Sequence, residues 1–243
     1  MAVRQGSCHP AGMNENAKLR RQEISDTATE WGWRLILGSL VAFVRTGSLV
    51  ESADLAGRLT AYLGDVSGYR LRVELRDDRL ILILESGDSL RVGRRDIDLA
   101  HRISAFVGTL GLATEPGASM GEPRTVQTVE IGIDAMDIGA IRPFWKAVMG
   151  YTGELGQDGP EDGLIDPLYQ GPAIWFQQMD EPRTERNRIH FDVVVPHDEA
   201  QRRIEAALVA GGKLTYDAEA PAFWVLADPE GNEACVCTWE GRD

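Results

Sequence analysis

Alternating and helical hydrophobic patterns recur twice, in the same order, in the C-terminal half of the chain. Val129-Glu130-Ile131-Gly132-Ile133-Asp134 alternates with a period of two and predicts a strand that carries Glu130. The apolar spacing then becomes helical: Ile138, Ile141, Phe144, Trp145 and Val148 fall on one side, and Gly150 marks the stop. Pro143 lies in the first two turns of that helix, where proline is best tolerated. A second strand follows at Arg188-Ile189-His190-Phe191-Asp192-Val193-Val194-Val195 and carries His190. Its helix points Ile204, Ala207 and Leu208 inward and stops at Gly211-Gly212. Glu130 to Gly150 is 20 positions and His190 to Gly211 is 21. The pattern predicts a strand over 127–135, a helix over 138–149, strands within 151–179, a strand over 188–195, a helix over 198–210 and strands to 240. One supersecondary unit is present in two copies, each presenting a potential ligand side chain at the same place.

The N-terminal half has a different rhythm. Residues 1–25 are polar and aperiodic and predict a flexible leader, with a short helix near 14–23. Order is expected from Trp31-Gly32-Trp33. Ser48 and Glu51 form a capping box that opens a helix, with Ala53, Leu55, Ala56, Leu59 and Leu63 as its stripe and Gly64 as its end. Tyr69–Leu75 alternates as a strand with one wet face, Asp77-Asp78 turns, and Leu80–Leu84 is a continuous apolar strand. A last helix over 94–110 turns Ile97, Ala100, Ile103, Phe106 and Val107 inward. Helix, strand, strand, helix makes a small α+β domain over 26–112. Residues 113–125, with Pro116, Gly117, Ser119, Gly121 and Pro123, predict a linker to a second α+β domain over 126–243.

Composition narrows the partners. The chain has 243 residues, 43% hydrophobic and 26% charged, the balance of an ordinary soluble globular protein. A formal net charge of −13 argues against nucleic acid, because neutralising phosphates needs clustered Lys and Arg. No run of 18 apolar residues predicts a membrane span, and Met1–Arg21 lacks the apolar core of a signal peptide. Cys8, Cys235 and Cys237 are too few for a disulfide framework, so a reducing cytoplasm is the expected location. Cys235 and Cys237 share a strand face, either as a soft metal pair or, the commoner outcome, as apolar packing.

The candidate chemistry centres on Glu130, His190 and Glu233. Two carboxylates and one imidazole suit a divalent ion such as Mn, Fe, Co, Ni or Zn, and three ligands leave positions open for substrate. Each residue also has a plainer reading: Glu130 on a solvated face, His190 as a hydrogen-bonded core histidine, and Glu233 ending a hairpin built by Asp228-Pro229-Glu230-Gly231-Asn232. Of Trp175-Phe176 and Phe223-Trp224, alternation lets only one member of each pair face a cleft. Arg183, Arg186 and Arg188 cluster before the second strand, where one could hold an anionic group. Gln177, Gln178 and Tyr169 are further polar candidates. His9, His101 and His197 have no partner legible in the sequence.

Asp137, then Phe144-Trp145 seven positions on, then Gly150-Tyr151, resembles the opening of a vicinal oxygen chelate domain, the fold of glyoxalases, bleomycin-resistance proteins and extradiol dioxygenases. Asn187-Arg188-Ile189-His190-Phe191-Asp192 and Asp228–Glu233 are similar to the second-module strand and last hairpin of its glyoxalase-like branch, so the resemblance covers about 126–241. It implies paired βαβββ modules forming a curled mixed-sheet cleft, with Glu130, His190 and Glu233 at metal positions. Glu130 stands where the family more usually has His. It also implies a small oxygen-chelating substrate, Glu130 or Glu233 as a mobile base, and a lyase, isomerase or dioxygenase outcome. The cleft would bind substrate through Trp175, Gln177, Arg188 and Trp224. Bleomycin-resistance relatives instead bind a drug without catalysis. Residues 31–110 are similar to pterin-4a-carbinolamine dehydratases through Trp33, the helix at 49–63, the strand pair and Arg95-Asp96-Ile97-Asp98-Leu99-Ala100. That family's histidines are replaced by about Tyr69-Arg70-Leu71 and Gly87, so the activity is expected to be lost, and the missing histidines also disfavour the third reading, residual pterin binding. Both families associate, which implies a homodimer with a small-molecule partner and neither nucleic acid nor membrane.

Overall fold

Strands whose alternate residues are apolar set each half of the molecule on one face of a sheet. The computed structural model describes residues 19–65, 69–86, 92–120, 122–154, 156–183, 185 and 189–241, and the chain divides into two units between Gln127 and Thr128.

The first unit contains α1 (Arg21–Glu30), β1 (Arg34–Ile36), β2 (Ser39–Arg45), α2 (Leu49–Leu63), β3 (Tyr69–Leu75), β4 (Arg79–Ser86), α3 (Arg94–Thr109), β5 (Thr114–Glu115), β6 (Gly117–Met120) and β7 (Glu122–Thr125). Its antiparallel sheet has the order β1-β2-β4-β3, with β5 pairing β2 beyond β1 on the same edge, and β6 pairs with β7. Leu40, Ala42 and Val44 of β2 and Leu80, Leu82 and Leu84 of β4 form one buried face against Leu55 and Leu59 of α2 and Ile97, Ile103 and Val107 of α3.

Several expectations are corrected here. Helix α1 starts inside the stretch expected to be a flexible leader, because Ile24 and Ala28, four apart, bury against the core while the rest of the helix is polar. The hairpin of β1 and β2 turns on Leu37-Gly38, with Leu37 at φ 49°, a position where turn residues such as Asn or Gly give the usual signal. The expected linker holds β5, β6 and β7, and β5 extends the sheet through Phe43↔Glu115. On α2 it is Ser52 that is buried and Ala53 that is exposed, since the Ser52 hydroxyl donates to Arg76 O at 2.9 Å and pairs with Thr46 Oγ1 at 2.6 Å.

The second unit is two βαβββ modules. The first is β8 (Glu130–Ala135), α4 (Ile138–Met149), β9 (Thr152–Gly153), β10 (Leu164–Ile165) and β11 (Ala173–Gln178). The second is β12 (Phe191–Val194), α5 (His197–Val209), β13 (Lys213–Tyr216), β14 (Phe223–Ala227) and β15 (Glu233–Cys237). The sheets have one topology, β8-β11-β10-β9 and β12-β15-β14-β13, each with its first strand parallel to its last and the other pairs antiparallel. This is the mixed α+β architecture that the doubled pattern predicts.

Both modules share one core: Ile133, Ile141, Phe144, Trp145, Val148, Ile174 and Phe176 pack with Ala200, Ile204, Ala207, Leu226, Ala234 and Val236. Leu208, expected inward on α5, is exposed, and Ala200 takes the third inward position of an i, i+4, i+7 stripe. Asp137 caps α4 by accepting from Ala140 N at 3.0 Å, and Gly150 ends it in the left-handed conformation. Glu230, in the hairpin before β15, accepts from the backbone N–H groups of Met136 and Asp137 at the same helix start, at 2.9 and 2.7 Å.

Candidate metal centre on the open sheet face

Strand register decides which side chains meet. Phe191 and Val193 of β12 and Ala234 and Val236 of β15 face the shared core, so His190, Asp192, Glu233, Cys235 and Cys237 take the opposite, open face. Asp192 lies level with Cys235 in the parallel pair, and one step back brings His190 level with Glu233.

Among the described residues, one group gathers three His, Cys or carboxylate ligand atoms within 4.8 Å of one another: His190, Asp192 and Cys235. His190 Nε2 is 3.5 Å from Asp192 Oδ1, with both side chains more than half exposed. Cys235 is 7% exposed. Burial pushes its thiol up to about 12, reinforced by the charge of Asp192 and the hydrogen bond with it, then by Cys237 and Glu233. Donors bound to one tetrahedral ion at about 2.0–2.3 Å stand roughly 3.5 Å apart, the separation of His190 Nε2 and Asp192 Oδ1, and the 4.8 Å limit on the others means that they would draw in around a cation. The donor set of imidazole, carboxylate and sulfur is chemically suited to a borderline-soft divalent metal.

Glu130 belongs to the matching position of the other module. It lies five residues before buried Ala135, as His190 lies five before buried Val195. It is exposed, level with Ala173 of β11, and is not a member of the three-donor group. Glu233 is half-buried and is also outside that group.

Of the expected substrate contacts, Trp175 is on the open face of the first sheet at 45% exposure. Its indole covers Gly132, whose missing Cβ would stand 3.0 Å from the ring. Gln177 is exposed and level with Asp134, its amide donating to Gln178 O at 3.2 Å. Trp224 is a correction: it packs on the shared core, because β14 turns Phe223 and Val225 to the open side through their pairing with Cys237 and Cys235. Arg188 and Arg186, like Cys8 and His9, lie outside the described residues, and Arg183 is exposed. His101 has a ring partner in Trp31 at 4.4 Å and His197 in Trp239 at 5.4 Å. Tyr169, at φ 55°, sits in a loop organised by Asp166, which accepts from the backbone of Leu168, Gln170 and Gly171.

Asp192 was missed as a donor, although the alternation His190-x-Asp192 beside Cys235-x-Cys237 carries the signal. Also missed was an apolar margin on the same face: Val194 is 72% exposed, and the rings of Tyr216 and Phe223 stack with centroids 6.0 Å apart. A separate groove of about 420 Å³, lined by residues such as Arg45, Val50, Asp54 and Leu112, belongs to the first unit and holds none of these residues.

Residues 130–237 match the family described as Glyoxalase-like domain. No curated protein matches the chain. Solved structures similar to it include a glyoxalase/bleomycin resistance protein/dioxygenase family enzyme from Burkholderia phytofirmans, at 22% identity, covering 45% of this chain and 95% of that one with a TM-score of 0.35. A glyoxalase-related enzyme from Fulvimarina pelagi aligns at 20% identity, covering 46% and 88%, TM-score 0.37. The fosfomycin resistance protein FosX of Listeria monocytogenes, complexed with Mn(II) and sulfate, aligns at 12% identity, covering 49% and 96%, TM-score 0.37. No helix of the described residues is long and apolar enough to cross a membrane.

Proposed function

We propose that the glyoxalase-like domain acts on a small oxygen-chelating molecule with a divalent ion anchored by His190 on the open face of β12 and β15. The observation that supports this best is the repeat: Glu130 and His190 occupy equivalent positions of the two modules, and His190 has Asp192 and Cys235 around it. A bound Mn, Fe, Co, Ni or Zn ion supplies Lewis acidity, stabilising negative charge as it develops on a substrate oxygen. The chain's own residues do the rest. Glu233, level with His190, and Glu130, from the first module, are the carboxylates proposed to complete the ion's ligands or to take and return the substrate's proton. Asp192, 3.5 Å from His190 Nε2, adds a further carboxylate beside the imidazole. Phe223, Tyr216 and Val194 form an apolar wall, with Trp175 and Gln177 on the first module's open face. A lyase, isomerase or dioxygenase outcome follows from which atom loses its proton or meets oxygen.

The test is metal content by plasma mass spectrometry after reconstitution with each ion. About one ion per chain is expected in the wild type, with His190→Ala lowering affinity at least 10-fold, in line with loss of a ligand or its support. Absence of stoichiometric metal from the wild type contradicts the proposal.

A second reading, a small-molecule or drug-binding protein without catalysis, is favoured by the exposed Trp175 and Val194 and by the Tyr216–Phe223 stack. It predicts that chelator-treated protein is still stabilised by an apolar ligand. For the first unit we propose a non-catalytic role, tested by fluorescence titration with a reduced pterin. The whole chain is proposed to be a cytoplasmic homodimer, and light scattering at twice 26.7 kDa is the check.

A further inference from the structure

We infer that Cys235 is a direct ligand and that His190, Asp192 and Cys235 form a thiolate-containing centre that selects zinc over manganese or magnesium. The inference rests on the reading above, that an ion binds on this face, and adds which donors hold it. Asp192 and Cys235 are level in the β12–β15 pair, so the backbone holds a carboxylate and a sulfur side by side. His190, two residues before Asp192, brings an imidazole nitrogen to the same spot, and all three donor atoms lie within 4.8 Å of one another. The strand pair fixes Asp192 and Cys235, and His190 lies one residue before β12.

The donor types decide the metal. A nitrogen, an oxygen and a sulfur favour Zn and its borderline neighbours, whereas Mn and Mg take oxygen-rich sets. As the sulfur–metal bond forms, the thiol proton passes to solvent, and the two negative charges of Asp192 and the thiolate balance the dication. Cys235 is a buried free thiol, so its sulfur is not already committed to a disulfide. Three donors leave a fourth position of a tetrahedral ion open for water or substrate.

Chelator-treated full-length protein is titrated with Co(II), followed by near-ultraviolet absorption from sulfur-to-cobalt charge transfer, and then with Zn(II). Wild type should take one equivalent of Co(II), show the band, and lose it as Zn(II) displaces cobalt. Cys235→Ser and Asp192→Asn should each weaken zinc binding at least 10-fold, Cys235→Ser without the band, whereas Cys237→Ser should keep the band. Should Cys235→Ser fail to fold, a band retained in the wild type, in Cys237→Ser and in Cys8→Ser still assigns the sulfur to Cys235. One bound ion with no sulfur band overturns the inference and leaves the His190-centred reading standing. A band that survives in Cys235→Ser and vanishes in Cys237→Ser also overturns it. No bound ion at all removes both.

Discussion

Asp228 shows how a single side chain secures the hairpin that leads into β15. At 1% exposure its carboxylate accepts the Trp145 indole N–H at 3.0 Å, the backbone N–H groups of Glu230 and Asn232 at 2.9 Å each, and the Asn232 amide at 2.8 Å. Asp228→Ala would leave several of these donors buried and unpaired, so a loss of about 3 kcal/mol is expected in urea unfolding. Trp145→Phe removes one donor and part of a packed ring and should cost about 2 kcal/mol. The sequence Asp228–Glu233 reads as a hairpin from its Pro, Gly and Asn, but the partner 83 positions away in α4 has no local signature. The same limit applies at the candidate site. His190 and Glu233 stand out by residue type, whereas the bond between Asp192 and Cys235 depends on a register that only strand pairing defines. Gly132 offers a residue-level probe of the other open face. Gly132→Ala would put a methyl group 3.0 Å from the Trp175 ring, so the indole must shift. A changed tryptophan emission spectrum with a stability change under about 1 kcal/mol is the expected outcome.

At the level of elements, the two helices of the second unit meet through small residues and a tethered loop. A Cβ on Gly212, just after α5, would lie 2.5 Å from Phe144 Cδ2 and 2.8 Å from Ala207 O, so Gly212→Ala should destabilise by about 2 kcal/mol, read by thermal unfolding. On the other side of α4, Asp158 accepts from the buried Arg142 guanidinium at 2.6 Å and from Lys146 at 3.0 Å. The Arg142 hydrogen bond, and then that of Lys146, holds the Asp158 carboxyl below the ordinary carboxylate range. A lowered native value means the unfolded chain binds the proton more tightly. The stabilisation is therefore present above about pH 4 and lost as pH falls through the native value. Asp158→Asn should be less stable than wild type at pH 7, and the difference should close toward pH 2. Elements with a strong period, such as α2, α4 and the strands of both modules, were legible in the sequence. Helix α1 and the β1–β2 hairpin were not, the first because only Ile24 and Ala28 bury and the second because Leu37 occupies a turn position without a turn residue's signal.

At the level of the molecule, the chain divides at Gln127–Thr128 and each unit has its own hydrophobic cluster. Residues 126–243 made alone should therefore fold cooperatively, and their zinc affinity should match the full chain's within about twofold. A fragment that aggregates or binds no metal would show that the first unit is needed for the site. The net charge of −13 favours uptake of a cation at an open face. Both modules put their apolar residues under the helices and their ligand-type residues outside. That division is what doubling a βαβββ unit predicts from alternation alone. The central claim is that the open face of β12 and β15 holds an ion at His190. An anomalous difference map at the zinc edge, from crystals grown with equimolar zinc, tests it most directly. The account predicts one peak per chain about 2.0–2.3 Å from His190 Nε2, Asp192 and the Cys235 sulfur, and a map with no peak there, or with zinc bound elsewhere on the chain, would contradict it.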